Sequence, residues 1–265
     1  MIYLTSDTSN LGFGLVLEKK TLTIKNTIDD FIVVDQDLDI VLEDGVHANI
    51  LDMTTHSNIK VKLLNASFLT YHIINSTNTN RMFECYGNLK VMQISLEESK
   101  EELNVQLLQE QASVSVELLA IGNYVPLTFI QRIEHQAKHT SSNLSNFGVA
   151  LGNANVMFDT TGRILKGMAK SKCVQLSKGI VMDDTASVTS KPILLIDEYD
   201  VIANHGASIG KMSDESLFYL MSRGLSKQEA FLLILEGIIA PFMNQIPDAS
   251  LKNEINGKIE KMMKR

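Results

Sequence analysis

The chain has 265 residues, 45% of them hydrophobic and 21% charged, enough to bury a full core as one domain with an appendage. A formal net charge of −7 and a pI near 5.4 argue against wrapping nucleic acid or lying on an anionic membrane, and favour an acidic, soluble partner-binding protein. The two cysteines, Cys85 and Cys173, form neither a CxxC pair nor a disulfide framework. The first residues lack a basic segment followed by an apolar one, and the longest apolar run, Phe231 to Met243, is interrupted by Glu236. That run is far short of the ~20 residues a membrane span needs, so the expected location is the cytoplasm.

In chain order, strands come first. Short β-branched runs recur between turn residues: Leu22–Ile24, Phe31–Val34, Leu38–Leu42, Ala48–Leu51, Ile59–Leu63, Leu89–Ile94 and Ser113–Leu118. The alternation in Ile59–Leu63 and Ser113–Leu118 puts apolar side chains on one face. Ser99–Gln111 fits helix or strand and is read as strand from its neighbours. Asp44-Gly45, Gly87-Asn88, Gly122-Asn123 and Gly152-Asn153 are turn signals. About 200 residues of such strands suit a sandwich, a barrel or a solenoid. A weak echo with a period of about 22 residues, linking Ile133, Asn155 and Ser177, favours stacked solenoid coils.

After Gly210 the pattern turns helical. Ser213 is an N-cap followed by Asp214 and Glu215, and Arg223-Gly224 closes that helix. Ser226 and Glu229 form a capping box for the next helix, which is apolar on nearly every face through Met243 and is expected to bury against more than its own β-body. Pro241 is expected to kink or end it. A last helix from about Ser250 to Lys264 carries Leu251, Ile255, Ile259 and Met262 on one side, with Lys258, Lys261, Lys264 and Arg265 near its negative end.

Three linked blocks are specific: Asp200-Val201, then His205-Gly-Ala-Ser-Ile-Gly210, then Leu217-Phe218-Tyr219-Leu220-Met-Ser-Arg223-Gly224. Upstream stand Glu134-His135-Gln-Ala-Lys-His139-Thr140-Ser-Ser142 and Gly162-Arg-Ile-Leu-Lys-Gly-Met-Ala169. In order and spacing these resemble the SufB/SufD family, scaffold subunits of the SUF iron–sulfur cluster assembly machinery. The resemblance covers roughly Ile133 to Met243 and is closer to SufD. It implies a mainly β fold, a right-handed parallel β-helix over 1–210, and a C-terminal helical region over 211–265. The chain reads as a short member lacking the family's usual N-terminal region.

The resemblance also implies a function without catalysis: assembling and transferring a transient iron–sulfur cluster, with none permanently bound. The expected partners are a SufC-type ABC ATPase and either a SufB-type subunit or a second copy, as a dimer. No G-x-x-x-x-G-K-[ST] loop is present, so ATP hydrolysis must come from a partner, implied to dock on Leu217, Phe218, Tyr219, Leu220, Arg223 and Gly224. His205 is the candidate metal ligand, since the matching SufD histidine lies at the SufB interface. Cys173 is the thiol candidate for a cluster, although Leu176 and Gly206 stand where SufB-type subunits carry cysteine and glutamate. Cys85 reads as strand core. His135 and His139, four apart on a strand, are ~13 Å apart and cannot share an ion unless a turn intervenes. Asp197-Glu198-Tyr199-Asp200 reads as an acidic, solvent-facing strand end. Two alternatives stand beside this reading. One is a β-helix carbohydrate-active enzyme, disfavoured by zero Trp and 6% aromatics; the other is a cluster-free structural SufD-like subunit.

Overall fold

The computed structural model describes residues 1–4, 10–12, 14–74 and 76–263. In chain order its strands are β1 (Ile2–Tyr3), β2 (Asn10–Gly12), β3 (Leu15–Glu18), β4 (Thr21–Ile24), β5 (Phe31–Val34), β6 (Asp39–Leu42), β7 (His47–Asp52), β8 (Asn58–Leu63), β9 (Phe68–Ile74) and β10 (Asn80–Cys85). There follow β11 (Asn88–Ser95), β12 (Ser99–Leu107), β13 (Ser113–Asn123), β14 (Pro126–His135), β15 (Ser141–Leu151), β16 (Asn155–Ile164), β17 (Lys172–Val181), β18 (Ser187–Ile196) and β19 (Ile202–Gly210). Three helices close the chain: α1 (Asp214–Ser222), α2 (Lys227–Met243) and α3 (Ala249–Met263).

From β4 onward successive strands alternate between two sheets, and every pairing is parallel. One sheet runs β1-β5-β7 and on through odd strands to β19; the other runs β2-β3-β4-β6 and on through even strands to β18. This is a β-helix-like solenoid. Among the described residues antiparallel pairing is confined to β2-β3-β4 at the N-terminal end, where it finishes a sheet instead of closing a barrel.

The coils lengthen along the axis. Thr21 pairs with Asp39 in the shortest, and Asn58 with Asn80, then Asn80 with Glu102, in the middle of the chain. Later the partners draw further apart in sequence: Ser99 pairs with Leu127, Pro126 with Asn155, and Asn155 with Ser187. A period of about 22 residues is therefore real in the middle coils and wrong where the sequence suggested it. Ile133 pairs with Gly162, and Ser177 lies in the other sheet, paired with Ala207. Ser99–Gln111 holds strand β12, buried at every second residue from Ser99 to Leu107. Gly45 and Gly152 take positive φ of 70° and 62° in turns, whereas Gly122 sits inside β13, where an added Cβ would meet Leu127 at 2.7 Å.

The core fills the space between the sheets with stacked apolar columns such as Leu22–Ile40–Val61–Phe83–Val105. A second core lies outside. Val33, Leu51, Met92, Ile94, Leu119 and Val149, on the outer face of the odd-numbered sheet, pack with Leu235, Ile239, Met243, Ile255 and Ile259 of α2 and α3. Much of the apolarity of α2, expected to bury against more than its own β-body, is thus used within the chain, against both the sheet and α3; among its leucines only Leu233 is exposed. Pro241 does not end the helix, which continues to Met243 with Asn244 as C-cap. In α3 the buried stripe is Leu251, Ile255, Ile259 and Met263, with Met262 at its margin. Lys264 and Arg265 lie outside the described residues. No helix among the described residues is long and apolar enough to cross a membrane.

Candidate functional site

A parallel coil is satisfied only when another coil lies on each side of it. The last coil, β18 and β19, stacks on β16 and β17 and has no further strand beyond it among the described residues. Its side chains are correspondingly exposed: Ile193, Leu195, Ile202 and Ile209 show between 40% and 51% of their surface, and Tyr199 is fully exposed. The inward positions of β17 are Cys173, Gln175, Ser177 and Gly179, and their register partners are Ala203, His205, Ala207 and Ile209. His205 therefore stands in mid-strand, not at the strand-to-helix boundary, on the lumen side of the final coil and open to solvent.

Beneath it the lumen changes character. Earlier coils carry apolar columns of Leu, Ile and Val around one buried ionic cluster, and from β14 onward polar groups again face inward. Asn146 donates from Nδ2 to Gln131 Oε1 at 2.9 Å, and Thr160 donates to Gln175 Oε1 at 3.3 Å. Cys173 lies in the next register column, fully buried, with Gly162 opposite; a Cβ at Gly162 would collide with its sulfur. Burial pushes the Cys173 thiol above its ordinary range, partly offset by a hydrogen bond from Ser142. Cys85 is buried in β10, its S–H donating to the Gly87 carbonyl at 3.2 Å, and burial pushes it up to about 12. Neither sulfur is an exposed thiolate. Leu176 faces outward, 48% exposed beside Gly206.

His135 and His139 do not converge. His135 ends β14 fully buried, within 2.8 Å of Thr140 Oγ1 and 2.9 Å of Ser142 Oγ. Thr140 Oγ1 donates onward to the Ala137 carbonyl at 3.1 Å. Each nitrogen of the ring thus has a hydroxyl partner, and Thr140 Oγ1 also lies 2.9 Å from Ser171 Oγ. Burial lowers its pKa to about 4. His139 is an exposed corner residue with φ 56°, 3.8 Å from Glu110. Asp197 to Asp200 form the exposed turn into β19. Lys170 Nζ lies 2.9 Å from Asp200 Oδ2, and Glu198 accepts from the Gly167 amide, which draws its carboxyl below the usual range.

On α1 the faces separate. Leu217 is buried, in a cavity of about 310 Å³ lined with Leu151, Met182, Met212, Phe231 and Met263. Phe218 and Tyr219 point out, 74% and 57% exposed, and the Arg223 guanidinium lies 5.3 Å above the Tyr219 ring. Leu220 is half-buried, and Gly224, at φ 98°, supplies the left-handed residue that closes the helix. The exposed apolar groups of the last coil were not legible in the sequence. Their only signal was the position of the last strand, with no later coil to cover it.

A family model described as SUF system FeS cluster assembly, SufBD core domain, matches residues 26–238. Among curated proteins, the chain is similar to the iron-sulfur cluster assembly protein SufD of Bacillus subtilis, 36% identical over 136 residues, covering 51% of this chain and 31% of the relative. It is similar to SufD of Plasmodium falciparum, 27% identical over 184 residues, covering 68% of this chain and 12% of the relative. A SufBD family protein of Synechocystis is 28% identical over 158 residues, covering 57% and 34%. The chain spans about a third or less of these relatives' length.

Proposed function

From the premise that this chain belongs to the SufB/SufD family, closer to SufD, we propose that it is a noncatalytic scaffold that assembles and hands over iron–sulfur clusters. In this reading the cluster is cargo, built where the last coil meets a SufB-type subunit or a second copy, and a SufC-type ATPase drives the cycle. The observation that carries it is the final coil, whose two strand edges have no further strand beyond them among the described residues: the solvent-facing His205 shares its inward face with Ile209, and Ile193, Leu195 and Ile202 are exposed on the outer faces. Such edges are templates for another chain. Neutral imidazole is a competent iron ligand, and a partner would supply the thiolates. The exposed Phe218-Tyr219 face of α1 suits the ATPase, aromatic anchors being frequent in interface centres.

The test is anaerobic reconstitution of the co-purified complex. His205→Ala should leave the complex assembled and its melting temperature unchanged, while lowering bound iron and acid-labile sulfide severalfold. Unchanged cluster content would remove His205 from the site. Cys173→Ser should have the smaller effect. The burial of both cysteines favours a second reading, a cluster-free structural subunit, for which neither substitution would alter cluster content.

A further inference from the structure

Away from the last coil, the lumen holds a buried ionic network. Arg81, 1% exposed on β10, donates from Nε to Asp52 Oδ2 at 2.6 Å, from Nη1 to Glu101 Oε2 at 2.5 Å and from Nη2 to Ser76 Oγ at 2.5 Å. Asp52 also accepts from the Tyr71 hydroxyl at 2.7 Å and from the amide and hydroxyl of Thr54; Glu101 accepts from Ser99 at 2.8 Å. Every oxygen of the two carboxylates has a donor. The partners come from different coils and both sheets, Asp52 being 29 residues before Arg81 and Glu101 20 residues after it.

Burying three charges is a poor route to stability, since well-packed apolar groups of similar size usually do as well or better. The columns around the network show what apolar groups cannot do. Ile24, Leu42, Leu63, Cys85 and Leu107 stack in one register column, Leu22, Ile40, Val61, Phe83 and Val105 in the next. A slip of two positions between coils keeps the inside–outside alternation and sets one aliphatic side chain against another, so hydrophobic burial barely distinguishes the registers. The same slip moves an ionic partner ~7 Å along its strand, more than twice the length of these contacts. The network also stands where the coil lengthens: Asn80 of β10 pairs with Glu102 of β12, whereas Ser99, at the start of β12, pairs only with Leu127 of β14.

We propose that the Asp52–Arg81–Glu101 network is a register clamp, fixing how three successive coils stack where the coil changes length. Hydrogen exchange read by mass spectrometry on the full chain tests it, in peptides covering residues 47–107. Replacing all three residues (D52L/R81M/E101L) should leave the urea midpoint no lower than in the parent. It should also split these peptides into two exchanging populations, one at least tenfold faster. Simple loss of stability would speed exchange without creating a second population. Glu101→Gln, which keeps the shape and an acceptor, should behave like the parent, whereas Glu101→Ala should show the two populations; this pair decides the case if the triple variant does not fold. One parent-like population in the triple variant, or in Glu101→Ala, overturns the proposal.

Discussion

Gly162 and Cys173 depend on one another. The sulfur occupies the space a Cβ at position 162 would need, so Gly162→Ala should destabilise the fold by about 1–3 kcal/mol through overpacking. Adding Cys173→Ala should recover part of that loss, measured as a coupling in a double-mutant cycle by urea denaturation. Two histidines make stability depend on pH. His72, under the helices beside Phe31, and His135, in the lumen, are neutral in the fold, with values lowered from 6.5 to about 4 by burial and, for His72, also by Lys90. The unfolded chain binds protons first. Their contribution is therefore present above pH 6.5 and lost as pH falls toward 4, by up to ~3 kcal/mol for each imidazole. His72 has an unpaired Nδ1, so His72→Leu should flatten the decline in urea midpoint between pH 7 and pH 5. An unchanged decline would place the titration elsewhere. None of these pairings was legible beforehand, because parallel stacking brings together side chains a whole coil apart in sequence with no local signal.

At the scale of elements, local rules held wherever a segment's own chemistry decides. The capping box at Ser226 and Glu229 is formed as its spacing implies, and Ser213 caps α1 through the Ser216 amide. Residues 99–107 were ambiguous because Glu101 occupies an inward position, where a strand pattern calls for an apolar residue; the Arg81 network explains it. Helix α2 carries two residues its own propensity disfavours, Gly237 and Pro241, and still runs through both, held by its packing on the sheet. At Gly237 an added Cβ would meet nothing within 4 Å. Gly237→Ala should therefore stabilise the protein by about 0.5–1 kcal/mol, seen as a higher urea midpoint. No gain would mean that the helix needs flexibility there.

For the whole molecule, the mainly β body was legible from strand composition and the solenoid from the family resemblance carried by the His-Gly-Ala and Leu-Phe-Tyr-Leu blocks, but the place of the helices was not. An all-round apolar α2 suggested a partner, and the structure gives it the outer face of its own sheet. This changes how ATPase docking must be tested. Removing residues 213–265 would bare Leu51, Met92, Ile94, Leu119 and their neighbours, a contiguous apolar face of the kind that aggregates. The truncated chain is expected to be insoluble or to bind a hydrophobic dye strongly, so its failure to bind anything would prove nothing about docking. Phe218→Ala with Tyr219→Ala is the cleaner probe, because both side chains are mostly solvated and make little of the core. The double variant should keep the parent's melting temperature within about 2 °C, as surface substitutions do. It should also lose at least tenfold in affinity for a SufC-type ATPase measured by calorimetry, the loss of about 1.4 kcal/mol or more expected at an aromatic anchor. Undiminished affinity with an intact fold would move the docking surface off α1.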